Sequence, residues 1–383
     1  FGIFIEQNHI AYIQNKNSMV TIRLLLFSMV AFVAAQGFSQ ESQNSENDTS
    51  KVEWMDFETA LEKQKDIPKP IFVDLYTDWC GWCKKLDKET FSNPTIANYL
   101  NTNFYPVKFD AEGNDTIEFQ GETYVNSSEG RRPTHELALH LTNNKPSYPS
   151  MIFIDEQGKP NIVNGFMDVK KIQPILVFFA EQVYKTCPFE KFKKAFSALY
   201  QRDEEVDINM SGEVGWLSLE EALDAQLKEE KKILVFFYSD TYHSVSSNLT
   251  QKVILKDPHI ASYINSNYYP VFFDAARTDT IKMFDQTFVN EQLAPSYPHQ
   301  FVFATLQQNV VFPSILFIDK DRQLLSPMQG YFPKTTVEPY LHFIAEDKYK
   351  DTDWQEYYGD FEGKIKKDEA EKTPGNESPG AKN

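Results

Sequence analysis

Cys80 and Cys83 stand two residues apart in the run Trp79-Cys80-Gly81-Trp82-Cys83-Lys84. The apolar stretch Ile71-Phe72-Val73-Asp74-Leu75-Tyr76 precedes them and reads as a strand ending at Tyr76. A helix is expected to begin near Cys80. At a helix start, unpaired N–H groups and the helix dipole favour negative charge. This lowers a thiol pKa and raises its thiolate fraction. Cys83 then lies one turn behind, within reach of a disulfide with Cys80. Such a pair can attack a substrate disulfide and then release itself. A purely structural disulfide is the alternative, although so small a loop adds little stability. A zinc site needs about four ligands. The remaining cysteine is Cys187, and His135 and His140 are five apart on an expected helix, so they share a face poorly. No metal and no cofactor is expected.

The elements that position these residues occur twice. Trp54 and Trp216 each open a helix-like segment that runs into an apolar strand, Ile71–Tyr76 in one copy and Ile233–Tyr238 in the other. Ile96-Ala97-Asn98-Tyr99 matches Ile260-Ala261-Ser262-Tyr263, and Pro149-Ser150-Met151-Ile152 matches Pro313-Ser314-Ile315-Leu316. Agreement over a whole domain length means a duplicated domain. Each copy is expected to run helix, strand, helix broken near Pro94, strand Tyr105–Asp110, helix near Thr134–Leu141, a hairpin from Ser150, and a closing helix around Ile172–Tyr184. That order gives an α/β fold with a mixed sheet flanked by helices. The chemistry is absent from the second copy. On this alignment Tyr242 and Val245 stand at the thiol positions and Phe236 stands where Asp74 stood. His135 recurs as His299, which points to a shared structural contact, and Cys187 matches Thr352 and has no expected catalytic role.

The first copy resembles the thioredoxin family over its whole layout. The resemblance rests on Trp79-Cys80-Gly81-Trp82-Cys83-Lys84, on Asp74 in the preceding strand, and on Tyr148-Pro149-Ser150 opening a later one. It is similar to exported thioredoxin-like proteins and periplasmic reductase domains with Asp-x-Tyr-x-Asp-Trp-Cys-x-x-Cys-Lys. The resemblance implies two tandem thioredoxin-like folds. It implies Cys80 as nucleophile, Cys83 as resolving thiol, and Asp74 as the buried carboxylate that helps deprotonate Cys83. It also implies a cis Pro149 against the pair, with Trp79, Trp82, Tyr148 and Pro149 forming a substrate groove. Gly-Trp between the cysteines and Tyr148 before the proline depart from the more familiar pattern.

The 383 residues suit two or three domains, and 14% aromatic with 24% charged residues can build packed cores. A net charge of −17 disfavours nucleic acid as a partner. From Met19 onward a short basic start and the apolar run Leu24–Ala35 read as a secretory signal, too short to span a membrane. The expected organisation is a leader 1–37, a flexible linker 38–51, a catalytic domain 52–204, a linker 205–213, a degenerate domain 214–361 and a disordered tail 362–383. The chain is expected to be exported, periplasmic or secreted, with no membrane span once the leader is removed. Two functions fit. One is a thiol-disulfide oxidoreductase acting on protein disulfides or thiols, with an upstream thiol electron donor or acceptor and a second domain for partner binding. The other is a non-catalytic tandem scaffold.

Overall fold

Strand β1 (Ile71–Tyr76) is apolar on both faces except at Asp74, and it occupies the middle of a sheet. It pairs parallel with β2 (Tyr105–Asp110) and antiparallel with β5 (Ser150–Ile154), whose outer neighbour is β6 (Pro160–Asn164). Helices cover both faces, so β1 needs no alternation of polar and apolar residues. The small hairpin of β3 (Ile117–Phe119) and β4 (Glu122–Tyr124) stands apart from this sheet. The structure is a computed structural model that describes residues 51–127, 130–202, 206, 208–239, 244–283, 285–293, 297–306 and 310–365. The leader, nearly all of the first linker, the tail beyond 365, and Tyr242 and His243 lie outside the described residues.

Four helices frame the first sheet: α1 (Phe57–Asp66), α2 (Gly81–Leu86), α3 (Pro94–Asn103) and α4 (Glu136–Leu141), followed by α5 (Val169–Ala180) after the last strand. Helix α2 continues into a π turn, Asp87–Phe91. The break expected near Pro94 is the start of α3, where Asn93 caps the helix and Pro94 takes a first-turn position that lacks nothing by having no N–H. The second copy repeats the plan. Its helix α7 (Leu219–Gln226) leads into β7 (Lys232–Tyr238), which pairs parallel with β8 (Tyr268–Asp274) and antiparallel with β11 (Ser314–Ile318), and β12 (Leu324–Gln329) lies outermost. The fold is thus α/β, with two mixed sheets of the same strand order.

The two copies belong to a single compact unit and share a core. Helix α6 (Phe189–Phe196) lies inside the expected catalytic domain 52–204, beyond the expected closing helix. Its apolar face, Phe189, Phe192 and Phe196, packs on Phe178 of the first copy and also joins Phe236, Tyr331 and Leu341 of the second, with Phe192 meeting Tyr331 edge-on at 5.4 Å. Linker residues Ile208 and Met210 pack on the same cluster. The expected tail begins packed as well. Ile365 is buried, and the N–H groups of Lys364 and Ile365 donate to the Glu338 carboxylate. The boundaries near 204 and 362 therefore do not mark ends of the core.

The contact between copies is centred on Glu181, just after α5. Its carboxylate accepts from the N–H groups of Val245 and Ser246 at 2.8 Å each, from Ser244 Oγ at 3.0 Å, and from Ser246 Oγ. These donors form the start of α8 (Val245–Leu249), the second copy's counterpart of α2. Close by, Thr186 Oγ1 donates to the Tyr331 carbonyl at 2.5 Å. Glu181→Ala would strand two N–H groups that have little access to water. It is expected to cost about 1–3 kcal/mol in urea unfolding; an unchanged midpoint would show that the clamp contributes nothing.

Candidate active site

Cys80 follows β1 after a short turn in which its N–H donates to the Thr77 carbonyl at 3.0 Å. It caps α2, its sulfur accepting from the Cys83 N–H at 3.1 Å. The two cysteines form a disulfide with Cα atoms 5.3 Å apart. Both are buried, whereas the flanking Trp79 and Trp82 are 47% and 58% exposed. The site thus offers a disulfide recessed between two exposed indoles.

Asp74 is buried to 1% exposure in the centre of β1. Parallel register sets Lys108 of β2 directly beside it, and the Lys108 ammonium donates to one carboxylate oxygen at 2.5 Å. The other oxygen, Oδ1, has no hydrogen-bond partner among the described residues. Burial pushes the Asp74 carboxyl up to about 6, and Lys108 only partly offsets this. Lys108 also donates to Asp87, and the Asp87 N–H in turn bonds to the Cys83 carbonyl. Burial works to lower the Lys108 pKa, but its two carboxylate partners outweigh it and hold the ammonium above its ordinary value. Lys108 thereby ties Asp74 to the helix turn that carries Cys83.

Lys108, which completes this pair, was not among the residues expected from sequence. A signal for it exists. Lys108 is a lone cation in the apolar strand Tyr105-Pro106-Val107-Lys108-Phe109, and its counterpart in the second copy is Phe272. Phe236 and Phe272 replace Asp74 and Lys108 together, with ring centroids 5.8 Å apart. A buried ion pair has given way to an aromatic pair, a change that removes two costly buried charges at once.

The rim assembles the other expected residues. The Tyr148–Pro149 peptide is cis, as is Phe312–Pro313 in the second copy. Tyr148 meets Trp79 edge-on at 5.9 Å. Trp79 Nε1 donates to Glu112 at 2.8 Å, and the Arg132 guanidinium lies 4.1 Å from the Trp79 ring centroid. Trp82 sits 5.7 Å from Phe166, and Lys85 lies over both rings. Glu112, Arg132, Lys85 and Phe166 are additions to the sequence reading; Lys85 lies on α2 itself, and the other three are brought in from far along the chain.

Other candidates have structural places. Cys187 is buried in the shared core, and burial pushes its thiol up to about 12. His135 Nε2 faces the Asp115 carbonyl at 2.8 Å, and His299 Nε2 faces the Asp279 carbonyl at 2.9 Å, one contact used twice. The π turn Asp87–Phe91 corresponds to the π turn Thr250–Ile254 and the capping residue Cys80 to Ser244, so α8 is one residue shorter than α2. Tyr238 of β7 is stacked on Phe272 at 3.9 Å.

Residues 40–187 match the family described as Thioredox_DsbH (Protein of unknown function, DUF255), and residues 219–345 match the one described as Thioredoxin-like domain. The thiol:disulfide interchange protein DsbD of Photorhabdus laumondii is 25% identical over 180 residues, 44% of this chain and 28% of that protein. DsbD of Citrobacter koseri is 35% identical over 103 residues, 26% of this chain. The chain spans 28% and 15% of the length of these two curated relatives. The solved C-terminal domain of Neisseria meningitidis DsbD, reduced form, matches with a TM-score of 0.24 at 17% identity, over 32% of this chain and 92% of that one. No helix among the described residues is long and apolar enough to cross a membrane. With both copies matched and both sheets of one topology, the chain is a two-domain protein of the thioredoxin-like superfamily.

Proposed function

We propose that the chain is an exported thiol-disulfide oxidoreductase that exchanges disulfides with protein substrates through Cys80 and Cys83. The observation that carries this reading is the buried Asp74–Lys108 pair tied to the cysteine-bearing helix, which the second copy lacks along with both thiols. In the reduced protein, the Cys80 thiolate attacks a substrate disulfide. A mixed disulfide forms and the first substrate sulfur leaves as thiolate. Asp74 accepts the Cys83 proton, and the Cys83 thiolate attacks Cys80 Sγ. The second substrate sulfur leaves, and the Cys80–Cys83 disulfide remains. An upstream dithiol then restores the reduced form. Trp79, Trp82, Tyr148 and Pro149 line the groove that receives the substrate chain.

The degenerate copy favours a second reading, a tandem scaffold that holds a partner without catalysis. Insulin-disulfide reduction by the purified chain separates the two, and catalysis is the expected outcome. Titration of the pair against glutathione or dithiothreitol sets the direction. A potential near about −270 mV means reductase and one near about −120 mV means oxidase. A pair that stays oxidised against both couples, with no insulin turnover, leaves the scaffold.

A further inference from the structure

The rim of the disulfide carries cations in a chain whose net charge is −17. Arg132 lies over the Trp79 ring at 4.1 Å, on one side of the pair. Lys85 lies over Trp82 and Phe166 at 5.1 and 4.8 Å, on the other. Arg131 and Lys84 adjoin them in the chain, and both are exposed. Among the described residues, Lys84, Arg131 and Arg132 form no ion pair. The nearby acids offset these charges only in part. Glu112 is engaged by Trp79 Nε1. Glu89 reaches Lys85 only at 3.8 Å, with the two side chains 52% and 42% exposed. Asp78, next to Trp79, is open to water.

The second copy separates what the fold needs from what the chemistry needs. It keeps the cis proline and the His299 contact of the shared plan. It has lost the thiols, and all four cations with them. Counting from His135 and His299, Pro295 and Ser296 stand at the places of Arg131 and Arg132. Helix α8, Val-Ser-Ser-Asn-Leu, carries no charge, whereas α2 carries Lys84 and Lys85. The sheet and its helices therefore form without these charges, and the cations go with the disulfide. Their chemistry suits an anion. A guanidinium over an indole keeps N–H groups for a carboxylate, which it can hold through two parallel hydrogen bonds. An ammonium over two rings is likewise held in place while its head stays in water.

We propose that Arg132 and Lys85 are specificity-determining residues that select substrate segments with carboxylates on both sides of the disulfide cysteine. The substrate chain lies across the recessed pair. A Glu or Asp on one side of its cysteine meets Arg132 over Trp79, and one on the other side meets Lys85 over Trp82. Arg131 and Lys84 add attraction at longer range, which raises the encounter rate more than the affinity. The selection rests on the reading of Cys80 and Cys83 as the exchanging pair. Two other uses of these cations differ in outcome. Cations that only favour the Cys80 thiolate, or an Arg132 that only steadies Trp79, would speed every substrate alike.

Three short peptide disulfides, alike except for Glu, Gln or Lys on both sides of the cysteine, test this on the full chain with dithiothreitol as reductant. At low salt the Glu peptide is expected to exceed the Lys peptide in kcat/KM by about tenfold, mostly through KM, with the Gln peptide between. The gap should narrow as salt is raised. Arg132→Gln and Lys85→Gln should each remove about two- to fivefold of it. Arg132→Glu combined with Lys85→Glu should reverse the order. The same peptides with serine in place of cysteine, titrated against the oxidised chain by tryptophan fluorescence, read the preference without exchange. Equal rates and equal binding of the three peptides overturn the proposal. So does an Arg132→Gln variant that slows all three alike. If neither the peptides nor insulin are reduced, while the serine peptides bind in the order Glu, Gln, Lys, the exchange reading fails and the acidic preference stands.

Discussion

Cys80→Ser is expected to abolish disulfide exchange, lowering turnover by at least about a thousandfold, because no other thiol can replace the nucleophile. Cys187 is buried in the core between the copies, and its thiol is pushed up to about 12, so it supplies almost no thiolate at neutral pH. Cys83→Ser should fail differently. Cys80 still attacks, but nothing resolves the product, and the protein accumulates joined to its substrate through one disulfide. Mass spectrometry under non-reducing conditions would show the adduct on Cys80 and none on Cys187. A Cys83→Ser protein that turns over at near the parent rate would mean that substrate thiols resolve the intermediate and that the pair is not the working unit.

Much of this site was legible because its signals are local. Ile71-Phe72-Val73-Asp74-Leu75-Tyr76 is too apolar to be anything but a buried strand, and a carboxylate inside it is costly without a role. The cysteines fall where strand gives way to helix, so their chemistry follows from position. The duplication carries the plan of the second sheet in the sequence itself. Lys108 was harder to see, because its link to Asp74 is a register between parallel strands 34 residues apart. Only the joint exchange of both positions for Phe236 and Phe272 encodes that pairing in one sequence.

The joint between the copies was not legible, and the reason is physical. Glu181 and Glu346 follow equivalent helices in equivalent runs, yet one is wrapped by the start of α8 and the other edges an open cavity. Local sequence cannot distinguish them, since the difference lies in which domain comes next. The polar run after α6 looked like a boundary. The apolar face of α6 packs on Phe178 of its own domain and also on Tyr331 across that run. The degenerate motif helix therefore has an intramolecular task. The donors that in the first copy sit beside a thiol sulfur grip a carboxylate in the second.

Asp74→Asn is expected to separate the proton-transfer role of this carboxylate from its cost to stability. With the acid at about 6, the parent rate of resolving the mixed disulfide should rise as pH passes 6, because the ionised form takes the Cys83 proton. Asparagine cannot take it, so that limb of the profile should vanish and resolution at pH 7 should slow by about a hundredfold. Rapid-quench trapping would then show more mixed disulfide at steady state, with the first attack unchanged. Stability moves the other way. The folded protein holds the Asp74 proton more tightly than the unfolded chain, whose value is near 3.8. The parent therefore loses stability as pH rises from about 4 to 6, by roughly 3 kcal/mol, and loses no more above that. Asn stands in for the protonated acid, and Asp87 remains to hold Lys108. The oxidised variant should match the parent near pH 4 and exceed it by about that amount at pH 7 in denaturant unfolding. A variant no more stable than the parent at pH 7, with an unchanged rate profile, would show that Asp74 is fully compensated by Lys108 and takes no proton from Cys83.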